Sequence, residues 1–308
     1  MNSQEYWDKR EKEHIKKRIK DDKVRIKKLQ LNYMRAYKEV SDRINAFYAK
    51  YASERGISIV EARKRAAKMD VKAFQTKAKK YVKERNFTKK ANEELRLYNL
   101  TMKTSRLELL KNEIRLEIIA LYSDEERFIE AELTIAVIEE FKRQSGILGI
   151  TLNHNAKKIQ SIVDSSFHTA NWSERIWGEH QDILRHEVER LVNNGMIQGK
   201  NPREQARRLK KIFDTSTYNA ERLMITEMAR AQGDVFKDSM EQGGFTQYKF
   251  LAEPTACKIC KELDNKIFDI KDMKVGTNMY PMHPNCHCTT SNYMSREKWE
   301  KDLERRGL

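Results

Sequence analysis

Residues 26–51, IKKLQLNYMRAYKEVSDRINAFYAKY, decide the fold class. Ile26, Leu29, Tyr33, Tyr37, Val40, Ile44, Phe47 and Tyr51 recur at steps of three and four, the spacing of one face of an α-helix. The same steps return in Leu107, Leu110, Ile114, Ile118 and Leu121. Between residues 1 and 145 the only glycine or proline is Gly56, and all four prolines (Pro202, Pro254, Pro281, Pro284) lie beyond residue 200. Glycine and proline are the strongest interrupters of helices, so their absence predicts long ones. Ser58 with Glu61, and Ser123 with Glu126, have the spacing of capping boxes, and Asp70 and Thr88 suit N-caps. The reading gives helices over 4–54, 59–69, 71–85, 89–122 and 124–143.

Gly146 and Gly149 interrupt the pattern and mark a boundary. A helix over 173–194 follows. Asn201-Pro202-Arg203-Glu204 then opens a helix to about residue 213, with Asn as cap and Pro in the first turn. Another covers 217–241 and stops at Gly243-Gly244. Beyond it the texture turns to short aromatic strands, loops and a terminal helix from Ser295. The expected fold is mainly α. A long basic helical N-terminal arm (1–145) precedes a helical core (146–243), and an α+β C-terminal module (244–308) carries a small Cys/His zinc-binding region.

The chain has 308 residues, with 61 Lys and Arg against 46 Asp and Glu. Residues 1–90 hold 28 basic and 12 acidic side chains, whereas the remainder is almost balanced. A basic arm on a neutral body points to a polyanionic partner. No apolar run reaches the ~18–20 residues of a membrane span, so no membrane partner is expected. The first residues lack the apolar stretch of a secretory signal, which predicts a cytoplasmic site of synthesis, where thiols are mostly reduced.

All four cysteines fall in two close pairs, Cys257-x-x-Cys260 and Cys286-x-Cys288, with His283 and His287 beside the second. Two pairs joined by a loop are a common way to supply four tetrahedral ligands to zinc. Cys-x-Cys is the tighter pair, so His283 is an alternative to Cys286 as fourth ligand. Every candidate ligand comes from protein, which suits one structural Zn2+ rather than a catalytic one. Unrelated buried thiols and a redox Cys-x-x-Cys are the competing readings, the latter lacking its strand-then-helix setting.

Cys257-x-x-Cys260-x-x-Leu263-Asp264-Asn265-Lys266-Ile267-Phe268, followed by His283-Pro284-Asn285-Cys286-His287-Cys288, resembles the C-terminal signature of the phage head-morphogenesis family, minor head proteins similar to Mu F. Gly199-x-x-Pro202, Ala206-x-x-Leu209 and Ala220-x-x-Leu223-x-x-Thr226-Glu227 resemble that family's helical stretch. The likeness covers about residues 150–290. Ile225 and His287 stand where the family usually carries Arg. The resemblance implies a minor capsid protein in the virion, inside the head, in contact with the portal protein and packaged double-stranded DNA. Scaffold and major capsid protein are further candidate partners.

Residues 61–90 contain 12 basic and 3 acidic side chains. Lys64, Arg65, Lys68, Lys72, Lys77, Lys79, Lys80, Lys83 and Arg85 are the candidate phosphate contacts, with Phe74, Tyr81 and Phe87 between them. His168, His180 and His186, with Asp164, Asp182 and Glu187, are weighed as a metal or acid–base site and read as surface or core-edge residues of a helical, charge-rich region. Glu227 is read as a helix carboxylate bonding a neighbour. No catalytic residue is assigned. The rival function is a zinc-stapled nuclease or recombinase, disfavoured by the lack of clustered acids near the cysteines. A nucleotide-transferring effector would need a phosphate-cradling glycine loop, which is missing.

Overall fold

The computed structural model describes residues 3–53, 89–166, 169–198 and 202–295. The predicted helices at 59–69 and 71–85, the cap at Asn201 and the terminal helix lie outside these residues. Helix α1 runs Ser3–Ser53 and α2 runs Lys89–Leu148. Helix α3 (Ala156–Val163) and the short α4 (Trp172–Arg175) lead through a π-helical turn (Ile176–His180) into α5 (Gln181–Gln198). Helix α6 (Pro202–Gln242) precedes β1 (Gln247–Leu251), α7 (Lys258–Leu263), β2 (Ile267–Asp269) and β3 (Thr289–Tyr293). The fold is mostly helical with one small sheet, as the composition predicts.

Two predicted helix breaks are absent. Ser123 does not cap a new helix, because buried positions recur at helical spacing through Leu121, Glu125, Ile129, Leu133, Val137 and Phe141. Glu126 instead accepts a hydrogen bond from Ser173 Oγ at 2.6 Å. The cluster Asp214-Thr215-Ser216-Thr217 likewise stays helical. Thr215 and Thr217 donate their hydroxyls to the carbonyls of Lys211 (3.0 Å) and Phe213 (2.8 Å). Side chains that often compete with the helix backbone are here satisfied along it. Helix α6 ends in a Schellman motif. Gly244 takes a φ of 72°, its N–H donates to Glu241 O, and the Phe245 N–H donates to Met240 O.

The chain forms two compact units built from distant segments. The first comprises Met1–Gln30, Asp124–Ile176 and Tyr218–Leu308, and the second Leu31–Ser123 and Trp177–Thr217. Residues 3–30 and 124–145, expected in a separate arm, therefore share a unit with the Cys/His module.

In the second unit, buried Tyr33, Val40 and Ile44 of α1 share the core with Leu110, Ile114 and Ile118 of α2. Tyr33 meets Tyr122 edge-to-face at 6.2 Å, and Arg43 pairs with Glu117 at 2.6 Å. In the first unit, the N-terminal part of α1 is joined to the module by polar contacts. Asp8 accepts from Ser291 Oγ at 2.7 Å and pairs with Lys249, and Gln4 donates to the Asn292 carbonyl at 3.0 Å. Arg18 donates to the Cys288 carbonyl at 2.9 Å and to Gln232 Oε1 at 3.2 Å. Arg143 on α2 bridges Glu140 and Glu11, each at 2.7 Å. His14, with Nε2 3.6 Å from Glu140, is pushed down to about 4, by burial first and by Arg143 second. It is neutral at neutral pH.

Candidate metal centre

The sheet runs β2-β1-β3, all antiparallel, with Tyr248 opposite Phe268 on one side and Asn292 on the other. It supplies the frame for the cysteines. Cys257 sits at the N-cap of α7, so Cys260 lies one turn on, pointing into a core of Phe236, Tyr248, Phe250, Met279 and Tyr280. The second pair closes the loop before β3. Asn285 takes a left-handed φ of 63°, and the Cys286 N–H donates back to the His283 carbonyl at 3.2 Å. Asn is among the few residues that adopt this conformation cheaply. The turn folds His283 and Cys286 toward α7.

Five donors converge as two sets that share Cys260: Cys257, Cys260 and His283, and Cys260, Cys286 and Cys288. His283 Nε2 lies 3.1 Å from Cys257 Sγ and 3.4 Å from Cys260 Sγ, and Cys260 Sγ is 3.9 Å from Cys286 Sγ. Ligand–ligand separations around tetrahedral zinc with ~2.3 Å Zn–S bonds are about 3.8 Å for two sulfurs, so the spacing fits. The other His283 nitrogen, Nδ1, is 2.9 Å from the Pro284 carbonyl. That contact places the proton on Nδ1 and leaves Nε2 free to bind metal, as outer partners of metal-bound imidazoles do. Cys257 is exposed while Cys260, Cys286 and Cys288 are buried. The cluster is therefore rooted in the core and reaches the surface through one sulfur.

The environment favours thiolate at Cys257 and Cys286, whereas hydrogen bonding to Cys286 and burial push the Cys260 and Cys288 thiols up. The Cys260 backbone N–H lowers the pKa of Cys257, with His283 assisting. Cys286 is held well below the ordinary thiol range because Cys260 and Cys288 donate their S–H groups to it. Burial opposes a charged His283, but the Pro284 carbonyl and the thiolates of Cys286 and Cys257 outweigh it and raise its pKa. This donor set can hold a metal ion, which would displace these protons.

Immediately behind the cluster lies a second polar centre on α6. Arg230 is buried, and its guanidinium donates to Glu227 (2.6 Å), to Asp234 (2.7 Å) and to the carbonyls of Ile162 (2.8 Å) and Val163 (3.1 Å). Those carbonyls end α3 and have no acceptance within their own helix, so the cation satisfies them. Trp172 Nε1 donates to the same Val163 carbonyl at 3.0 Å. Thr226 ties this turn to the Cys/His loop: its hydroxyl donates to the Arg222 carbonyl (2.6 Å) and accepts the Asn285 N–H (3.2 Å). Burial raises the Glu227 pKa against the pull of Arg230. Sequence reading missed Arg230. The available signal was Glu227-x-x-Arg230-x-x-x-Asp234, acid and base at i,i+3 and i,i+4 on one helix.

The remaining candidates divide plainly. Cys257, Cys260, Cys286, Cys288 and His283 meet. The predicted phosphate contacts, Lys64 to Arg85, and His168 lie outside the described residues. Asp182 pairs with Arg185 and Glu187 with Arg190, while Asp164 accepts from Gln160. His180, His186 and these acids form no metal-holding group among the described residues. His287 is not among the grouped donors, and its Nδ1 is 3.9 Å from Asp22.

No helix of the described residues is long and apolar enough to cross a membrane. No curated protein and no solved structure matches the chain. Residues 186–291, from within α5 to within β3 and including Thr226, Glu227, Arg230 and all four cysteines, match the family described as phage Mu protein F like protein.

Proposed function

We propose that the chain is a minor head protein of a tailed phage, carried in the virion at the portal vertex. In this reading one structural zinc ion staples its C-terminal module, and the basic N-terminal half meets packaged DNA. The family match supports the coarser statement, a phage head-morphogenesis protein. One observation carries the finer reading of the module: the matched segment contains the whole Cys/His cluster and the helical turn packed behind it.

Cys257, Cys260 and His283 would hold the ion, with Cys286 as fourth ligand on the strength of its 3.9 Å separation from Cys260. Cys288 then remains a buried thiol whose carbonyl anchors Arg18. Zinc supplies folding energy to a loop-rich segment here, not a reactive centre. The role proposed is structural, and Glu227 serves to hold Arg230 rather than to move protons for a reaction.

Purified protein should contain about one zinc per chain by elemental analysis, the content of a single four-ligand site. Mass spectrometry of purified virions should find the chain, and co-purification with co-expressed portal protein tests the vertex assignment. A folded, metal-free protein would sink the zinc reading. Absence from virions would sink the head assignment. Strand scission of DNA that disappears in His283→Ala would move the DNA-processing enzyme ahead.

A further inference from the structure

Between Lys9 and Lys28 the outer face of α1 is almost entirely lysine. Ten positions from Lys9 to Lys28 are exposed, and eight of them are lysines. Lys9, Lys12, Lys16, Lys20, Lys23 and Lys27 follow one another at steps of three and four. With 3.6 residues per turn they occupy an arc of about 80°, and at 1.5 Å per residue they extend over about 27 Å. Lys17 and Lys28 flank that arc, and Glu13 and Val24 are the two remaining exposed positions.

Pairing separates this face from the rest of the helix. The arginines turned inward have partners: Arg18 meets Gln232 and Cys288, and Arg25 meets Asp22 and Glu132. Among the outward lysines, Lys28 reaches Glu132 at 3.4 Å. The other seven have no ion-pair or hydrogen-bond partner among the described residues. Like charges at i,i+4 destabilise a helix, so a row of them is uncompensated until an external polyanion arrives.

We infer that this lysine face is a docking surface for the phosphate backbone of duplex nucleic acid, gripped without regard to base sequence. The inference rests on the proposed DNA contact and gives it a second place, on α1 rather than on residues 64–85. Duplex DNA carries one charge per about 1.7 Å of axis, so a straight ~27 Å row of ammonium groups faces a continuous line of phosphates. Phosphate contacts position a protein without reading bases. An anionic membrane is the weaker match, since an interfacial helix needs a broad apolar face and Val24 is the lone exposed apolar side chain in the stretch.

The experiment measures binding of a fluorescent duplex to the full-length chain by anisotropy, at salt from about 50 to about 200 mM. The combined variant Lys12→Gln, Lys16→Gln, Lys20→Gln and Lys23→Gln should flatten the log–log salt slope by about 3–4, near 0.9 per lost phosphate contact. Its affinity at the lowest salt should fall about tenfold or more. The four matching Lys→Arg changes should restore both values, and circular dichroism should show unchanged helix in each variant. A parallel variant, Lys77→Gln, Lys79→Gln, Lys80→Gln and Lys83→Gln, separates the two places. If wild type binds duplex, the α1 variant keeps its slope and only the parallel variant loses it, the inference is overturned while the DNA reading stands. If wild type binds no duplex, both fall. Binding to phosphatidylserine vesicles but not to duplex at matched salt would assign the face to lipid and also overturn it.

Discussion

Two buried polar centres stand side by side in the first unit, and they are built on opposite plans. The thiol cluster draws every donor from residues 257–288 and fixes a segment with little regular structure. The Arg230 centre draws its partners from α3 and α6, with the Ile162 carbonyl 68 residues away in sequence. One could hold a metal ion among its thiols and imidazole, and in the proposed reading that ion completes it. The other is self-sufficient, because two carboxylates and two helix-end carbonyls surround one cation. Function that depends on a ligand can be packed into a short stretch, whereas a cation buried without a ligand needs a fold assembled around it.

Metal removal should produce the largest effect. Apparent binding energies of structural zinc reach about 10–16 kcal/mol, so a strong chelator should strip hydrogen-exchange protection from β1, α7 and β3. Protection in α2 should persist, since its core lies among long helices. Equal protection with and without chelator would erase the distinction between the two centres.

Arg230→Met comes next. It leaves Glu227 and Asp234 without their cation and takes one donor from each of two α3 carbonyls, which keep the Trp172 indole and the Ser165 N–H, for an expected loss of about 3–5 kcal/mol in urea denaturation. Glu227→Gln, which keeps a hydrogen-bonding oxygen, should cost less. A loss below about 1 kcal/mol for Arg230→Met would mean that water readily takes the place of the guanidinium, as at an exposed pair.

The smallest effect concerns the joint. Thr226→Val deletes the acceptor of the Asn285 N–H and should cost about 1–2 kcal/mol. It should also weaken zinc retention in competition with a chelator by about tenfold, the lower end for outer partners of metal ligands. Thr226→Ser should behave as wild type. Unchanged retention in Thr226→Val would show that the metal loop holds its shape without α6.

The comparison also explains what could be read in advance. The three–four stripes of α1 and α2 and the cysteine pairs are local patterns, and local patterns survive into the fold. Ser123 and residues 214–217 misled because capping residues are ambiguous: their hydroxyls can open a helix or be satisfied inside one. Arg230 went unread although Glu227 and Asp234 flank it at i,i+3 and i,i+4. Such pairs are common on exposed helix faces, and the carbonyl partners that mark this one as buried are backbone atoms of a distant helix. The sharing of one unit by residues 3–30 and the module was equally hidden, since Arg18 binds the Cys288 carbonyl rather than a recognisable charge.

That last contact bears on how the chain is made. Gln4, Asp8 and Arg18 emerge from the ribosome well before their partners at 249 and 288–292. At about 5–20 residues per second, those partners arrive roughly 15–60 seconds later. Until then the leading helix has no finished surface to dock on, and its inward charges (Glu11, Arg18, Asp22) stay hydrated. The ionic character of that face lets an early helix remain hydrated until the Cys/His module has been made.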